Sequence, residues 1–402
     1  MSKSKARTQH GLIFLTVLVD LIGFGIVIPL LPLYAEHFNA GFVELGILMA
    51  LHSGMQFLFS PLLGRWSDKV GRRPVLMISI VGNVIAYSVL AGASSLWMLF
   101  LARFLSGVSS ANISTAQAYM ADITPREKRA GAMGMIGAAF GIGFVLGPLI
   151  SATTSGFGIH VPFLVAVGLS LFNACWVAFK LPESLPPAKR KPGMGKLSIL
   201  PHHRLAEVGD VDRGWLLRLL SVYFLNVTAF SGMTTLFVLF TNRRFGFEEA
   251  QNGWLFTLVG VIGVVIQGGM IRRIEPKVGA YKLALLGAII LAVTLTLMPW
   301  TSNWTLLILF TILVATGNSL VQPSLNTIAS RIACDQSQGT VLGLMASSGS
   351  LGRVVGPVVC GWLLSSNVGP GFGSLALWCA GGVAVLAALA LASLGGPAPH
   401  QR

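Results

Sequence analysis

Three ionisable side chains stand deep inside apolar runs of this sequence: Asp20, Arg103 and Arg353. A charge at bilayer depth is costly, and it is retained where it carries a proton, pairs with another charge or meets a charged guest. Asp20 is the carboxylate of the three, which makes it the candidate proton-responsive group, with Arg103 as its conditional partner. A carboxyl withdrawn from water holds its proton more tightly, and a guanidinium beside it loosens that hold. Moving the carboxyl between those two surroundings would load and release a proton. The competing reading is a static buried ion pair that only fixes helix packing. Arg353, within SSGSLGRVVGP, has two open readings, a contact to an anionic group or bonds to backbone carbonyls.

Uncharged polar residues form a second set of candidates. His52 and Gln56 lie four apart and share one helix face. Asn112, Thr115 and Gln117, then Asn226 and Phe230, then Gln322 and Asn326 follow in later apolar runs as candidate cavity lining. Polar side chains in membrane helices also serve as interhelical glue, so the two readings compete at each position. No phosphate-binding loop, catalytic triad or metal-ligand spacing is present. The four cysteines show no paired spacing. An enzyme, a bound cofactor and a resident metal are therefore not expected.

The elements that must position these groups are membrane spans. Of the 402 residues 54% are hydrophobic and 10% charged, and the mean hydropathy is +0.75. Soluble domains carry about 25% charged residues. A span needs about 20 mostly apolar residues, and twelve such stretches can be drawn: 12–34, 42–63, 75–93, 96–120, 131–152, 161–180, 215–240, 251–271, 280–298, 303–328, 341–364 and 372–394. Between the third and fourth, only Ala93-Ser94-Ser95 marks a turn. By a rise of about 1.5 Å per residue, Asp20 lies about 12 Å from the inner end of its span and Arg103 about 12 Å from the outer end of its own. In a core about 30 Å thick their depths then differ by about 6 Å, so packing can bring them together.

The net charge of +14 has the same origin. With the N-terminus in the cytoplasm, basic residues fall almost wholly inside, from Lys3 through Arg65, Lys69, Arg72 and Arg73 to Arg126, Lys128, Arg129 and the Lys180–Arg218 stretch. This follows the positive-inside rule and removes any need for nucleic acid as a partner. Residues 181–214 hold five prolines and mixed charges, and read as a cytoplasmic linker with a short surface helix near 203–213. The linker divides the chain into 1–180 and 215–402. A shift of 209 residues carries Gly134, Gly143, Gly147 and Pro148 onto Gly343, Gly352, Gly356 and Pro357, which places the fifth span on the eleventh. That is a parallel duplication of two six-helix halves.

Between the second and third spans stands Gly64-Arg65-Trp66-Ser67-Asp68-Lys69-Val70-Gly71-Arg72-Arg73-Pro74. Gly64 and Gly71 would permit a tight turn and close helix approach. Asp68 would suit a helix N-terminus. This stretch resembles the signature loop of the major facilitator superfamily. LFLARFLSGVSSA, with Arg103 and Gly107, is similar to the family's fourth-helix signature. FGIGFVLGP, with Gly143, Gly147 and Pro148, is similar to its antiporter motif in helix five, although Ser151-Ala152 replaces the usual glycine pair. DLIGFGIVIPLLP, from Asp20, resembles the drug:proton antiporter branch. Over about residues 11–180 the chain resembles tetracycline-type efflux proteins. It departs from them in helix three, where GNVIAYSVL carries Asn83 and Ala86 and no acid.

The resemblance implies an all-α membrane protein, twelve transmembrane helices in two pseudo-symmetric six-helix bundles. It implies a proton-coupled secondary transporter, an antiporter that exports a small amphipathic or hydrophobic compound such as a drug. Its partners would be that small molecule, protons and membrane lipid, and it would act as a monomer in a bacterial cytoplasmic membrane with both termini inside. Asp122 and Arg129, in ADITPREKRAG, resemble the family's loop that pairs with the signature loop. With Gly64, Asp68, Gly71, Arg72 and Arg73 they would form a charge latch at the cytoplasmic face. Two alternatives stay open: a facilitator or symporter of a sugar, metabolite or lipid-like substrate, and a transporter-like membrane sensor.

Overall fold

The structure, a computed structural model, describes residues 3–110, 113–125, 128–190, 212–333, 337–365 and 368–395. Among these residues twelve helices are long and apolar enough to cross a membrane: α1 (Thr8–His37), α2 (Phe42–Val70), α3 (Arg72–Ala91), α4 (Leu96–Ile123), α5 (Gly131–Phe157), α6 (Val161–Lys180), α7 (Arg213–Phe245), α8 (Glu249–Val278), α9 (Ala280–Trp300), α10 (Trp304–Ile332), α11 (Gln338–Leu364) and α12 (Ser374–Ser393). α4 is described on either side of residues 111–112, as Leu96–Ser109 and Ile113–Ile123. No strand occurs among the described residues. The chain is an all-helical integral membrane protein. The surface helix expected near 203–213 falls on 203–211, outside the described residues, apart from the start of α7.

Local chemistry sets the helix ends. After α1, Asn39 takes a positive φ of 56°, and Ala40 N bonds back to Ala35 O at 3.1 Å, a left-handed stop. Glu44 reaches back to Gly41 N at 2.8 Å and opens α2. Asp212 caps α7 through Gly214 N at 2.8 Å, and Asn303 caps α10 through Leu306 N at 2.9 Å. α3 ends at Ala91 and α4 begins at Leu96, so the turn lies where Ala93-Ser94-Ser95 marks it.

Two compact units divide the chain. The first gathers α1, α2 from Leu51, α3 to α6, and α8 as far as Thr257. Its core joins Ile13 and Leu21 of α1, Ile80 of α3, Tyr119 of α4, Ala139 of α5 and Val177 of α6. The second gathers α2 as far as Ala50, α7, α8 from Leu258, and α9 to α12. Its core joins Leu219 of α7, Ala288 of α9, Leu325 of α10, Met345 of α11 and Leu391 of α12. Large apolar side chains such as Leu164, Phe172, Phe179, Val293 and Leu389 face outward, a surface made for hydrocarbon.

The duplication is visible in the packing. In the first unit a Cβ placed on Gly147 of α5 would lie 2.6 Å from Gly25 Cα of α1. In the second, a Cβ on Gly356 of α11 would lie 2.8 Å from Gly232 N of α7. Backbone meets backbone in both seams, as small-residue packing in membranes allows. A second pair repeats likewise: Gly253 of α8 lies against Ala152 of α5 in the first unit, and Gly46 of α2 against Gly361 of α11 in the second. Within α8, residues Ile266–Met270 form a wide turn whose bonds close five residues back.

Candidate functional site

Asp20 is 5% exposed on α1, and Arg103 is 4% exposed on α4. Asn83 of α3 donates from Nδ2 to Asp20 Oδ1 at 3.1 Å. One turn along α3, Tyr87 is buried and stands within electrostatic reach of both Asp20 and Arg103. Its hydroxyl rests over Gly23 of α1, where any Cβ would strike it. Asp20, Asn83, Tyr87 and Arg103 thus form one buried polar group from three helices. In the sequence Asn83 stands out only as the absence of an acid, and Tyr87 reads as an ordinary aromatic. The i, i+4 spacing of the two was the available signal.

His52 of α2 is buried, with its ring 5.0 Å from that of Phe24. Its Nδ1 pairs with Ser106 Oγ of α4 at 3.0 Å, and Ser106 Oγ donates to Arg103 O at 3.2 Å. Gly107 makes this approach possible, because a Cβ there would lie 2.5 Å from His52 O. Gln56 donates to Ser110 O at 3.2 Å, which ties α2 to α4. Thr115 is fully buried, its hydroxyl without a partner among the described residues, and Gln117 is exposed. Asn112 lies outside the described residues.

In the second unit, α10 and α11 bring two candidates, Asn326 and Arg353, to the neighbourhood of Tyr223 of α7. Arg353 of α11 is half-buried, and its Nη2 donates to Ser350 Oγ at 3.0 Å. Tyr223 of α7 stands within its electrostatic reach and beside the Asn326 side chain of α10. The backbone carbonyls foreseen as alternative partners for Arg353 make no hydrogen bond with it among the described residues. One turn before Asn326, Gln322 donates to Asn318 Oδ1 at 3.2 Å. Asn226 is 1% exposed, and neither atom of its amide has a partner among the described residues. Phe230 is half-buried one turn further along α7.

The α2–α3 turn holds a charge cluster in the first unit. Gly71 adopts a φ of 113°, a conformation that favours glycine. Arg72 then pairs with Asp68 Oδ1 at 2.7 Å and with Asp122 Oδ2 of α4 at 3.2 Å, and it donates to Ser67 Oγ. Three expectations change. α2 continues to Val70, so Asp68 lies in its last turn and not at a helix N-terminus. The carboxylate at the start of α3 is Glu183, which accepts from Arg72 N at 2.9 Å and Arg73 N at 3.2 Å. Gly64 is helical and meets only Ser114 Oγ, 3.8 Å from an added Cβ, so it makes neither a tight turn nor an unusually close approach. Arg73 donates to Ala178 O of α6, and Arg129 Nε to Thr124 O at 3.4 Å. Among the described residues Arg129 makes no ion pair with the carboxylates of this cluster. Gly143 and Gly147, with Pro148 after them, form the α5 side of the seam with α1.

Residues 13–357 and 273–402 match the family profile of the Major Facilitator Superfamily. The tetracycline resistance protein, class D, of Salmonella ordonez is 32% identical over 360 residues, 87% of this chain and 88% of that protein. Major facilitator superfamily domain-containing protein 10 of Homo sapiens is 31% identical, covering 90% of this chain and 89% of that protein. Among solved structures, the human organic anion transporter MFSD10 matches with a TM-score of 0.73 at 27% identity, covering 96% of this chain and 99% of that one.

Proposed function

The chain belongs to the major facilitator superfamily, and from that premise we propose that it is a proton-coupled antiporter, exporting a small amphipathic or hydrophobic compound by alternating access. The observation that carries the proton half is the burial of Asp20 beside Asn83 and Tyr87, with Arg103 in the same group. Deprotonated, Asp20 balances the Arg103 charge. Protonated, it is neutral and leaves that charge to other partners, so the two protonation states favour different arrangements of α1, α3 and α4. Asn83 suits both states, since an amide donates to a carboxylate and can accept from a carboxylic acid. The direction of transport draws on the relatives named for tetracycline resistance, and the amphipathic cargo on these together with the organic anion transporter.

The cluster around Arg72 supports a latch in the same scheme. Asp68, Asp122 and Glu183 converge on the two basic residues that open α3. Such a latch acts by being made in one state and broken in the other. The distribution of basic residues supports placing it, and both termini, on the cytoplasmic side of a bacterial inner membrane.

The test is flux in proteoliposomes. The reconstituted chain should move members of an amphipathic compound panel against a proton gradient. Asp20→Asn should lose gradient-driven transport while binding the same compounds. Normal coupling in that variant refutes the proton role of Asp20. Flux independent of any gradient makes the protein a facilitator, and binding without flux makes it a sensor.

A further inference from the structure

The second unit holds a cation that this proton chemistry leaves unused. By the helical rise, Arg353 lies about 22 Å from the start of α11 and about 16 Å from its end, deep within a spanning helix. A guanidinium carries five N–H donors. Among the described residues its hydrogen bonding is the single contact to Ser350 Oγ, whose own hydrogen goes to Ala346 O. No carboxylate among the described residues lies within ion-pair distance of it. Arginine does not deprotonate to escape this situation. A fixed positive charge at this depth, with donors to spare, is in want of an anion.

The surroundings are built to receive one. Gly349 lets α7 come close, since a Cβ there would lie 2.7 Å from Tyr223 Cε1. Tyr223 in turn stands beside Asn326 of α10. Three helices thus bring a guanidinium, a phenol and an amide to one place, and Arg353 is half-buried and so within reach of a guest. The planar fork of arginine matches a carboxylate in bidentate fashion. We infer that Arg353, with Tyr223 and Asn326, is the docking point for a carboxylate group on the cargo. The inference rests on the transporter reading and adds to it the substrate class: amphipathic organic carboxylates, recognised within the second unit.

A matched pair of probes tests it, 1-naphthaleneacetate and 1-naphthaleneacetamide, alike in shape and differing in charge. Equilibrium binding is measured on the purified full chain in detergent. The acid should bind roughly tenfold or more tightly than the amide, the worth of one charge-assisted contact. Arg353→Gln should abolish that preference by weakening the acid alone. Arg353→Lys should retain part of it, and Tyr223→Phe should reduce it. Equal binding of acid and amide by the unaltered protein overturns the inference, as does a full preference in Arg353→Gln. If Arg353→Gln does not fold, the unaltered protein and Tyr223→Phe decide. Flux of both probes under a pH gradient separates the two claims. A preference for the acid with no gradient-driven flux sinks the antiporter and leaves the docking point. Gradient-driven flux with no preference does the reverse.

Discussion

Placing a methyl group on Gly147 tests the seam on which the first unit is built. The added Cβ of Gly147→Ala would lie 2.6 Å from Gly25 Cα and 2.7 Å from Ile22 O. Carbon atoms rest about 3.5–4.0 Å apart, so α1 and α5 must part by about 1 Å along the contact. The obstacles are backbone atoms and cannot turn aside as a side chain would. Overpacking costs about 1–3 kcal/mol, and this site belongs at the upper end of that range. Gly134, on the same helix, is the control, since nothing lies within 4 Å of an added Cβ. There alanine adds helix propensity worth up to about 1 kcal/mol and costs nothing in packing. The two variants should therefore differ by about 2–4 kcal/mol, from the same helix and the same chemical change. Thermal unfolding in detergent should show Gly147→Ala several degrees below the unaltered protein and Gly134→Ala level with it or above. Passive proton leak across empty-handed proteoliposomes should rise in the first variant alone. Equal melting of Gly147→Ala and the unaltered protein would refute the packing argument.

Other substitutions probe single contacts. Glu183→Ala removes the acceptor for Arg72 N, Arg73 N and Leu185 N; after allowance for solvent, unfolding should cost about 2–3 kcal/mol, and Glu183→Gln about 1 kcal/mol, read as melting shifts. Tyr34→Phe deletes the hydroxyl shared by Leu90 O, Ala93 O and His160; the melting curve should register a loss of about 1 kcal/mol. Asn226→Leu replaces an amide with no partner on either atom among the described residues. Stability should hold or rise by about 1 kcal/mol, while transport falls if the amide serves the cargo; a marked loss of stability would show that the amide has a structural role.

Much of this was legible in the residues, for a physical reason. Bilayer length and hydrophobicity fix where spans begin and end, so twelve stretches became twelve helices and Ala93-Ser94-Ser95 became a turn. The spaced glycines of α5 and α11 announced seams because only small residues permit such approach. Tertiary partners were less legible. Glu183 sits in a polar stretch with no periodicity to tie it to α3, 111 positions earlier in the chain. Tyr87 and Tyr223 read as ordinary aromatics in apolar runs, and only packing reveals which charge each one faces. Asp68 lies at the end of a helix and not at a start because, of the two glycines, only Gly71 is where the chain turns.

The wide turn at Ile266–Met270 sets a phase for everything after it in α8. Closing bonds five residues back accommodates one residue more than regular winding needs, and one residue is worth about 100° of rotation. Downstream, Glu275 meets Arg331 of α10, Oε1 to Nη2 at 2.6 Å. That ion pair is therefore a gauge of angular register. Gly268 and Gly269 both border open space, so deleting either one can be absorbed by rewinding the helix. Such a deletion would leave Glu275 facing its partner, whereas removing a residue from the regular winding after Met270 would swing Glu275 about 100° around the helix axis and break the pair.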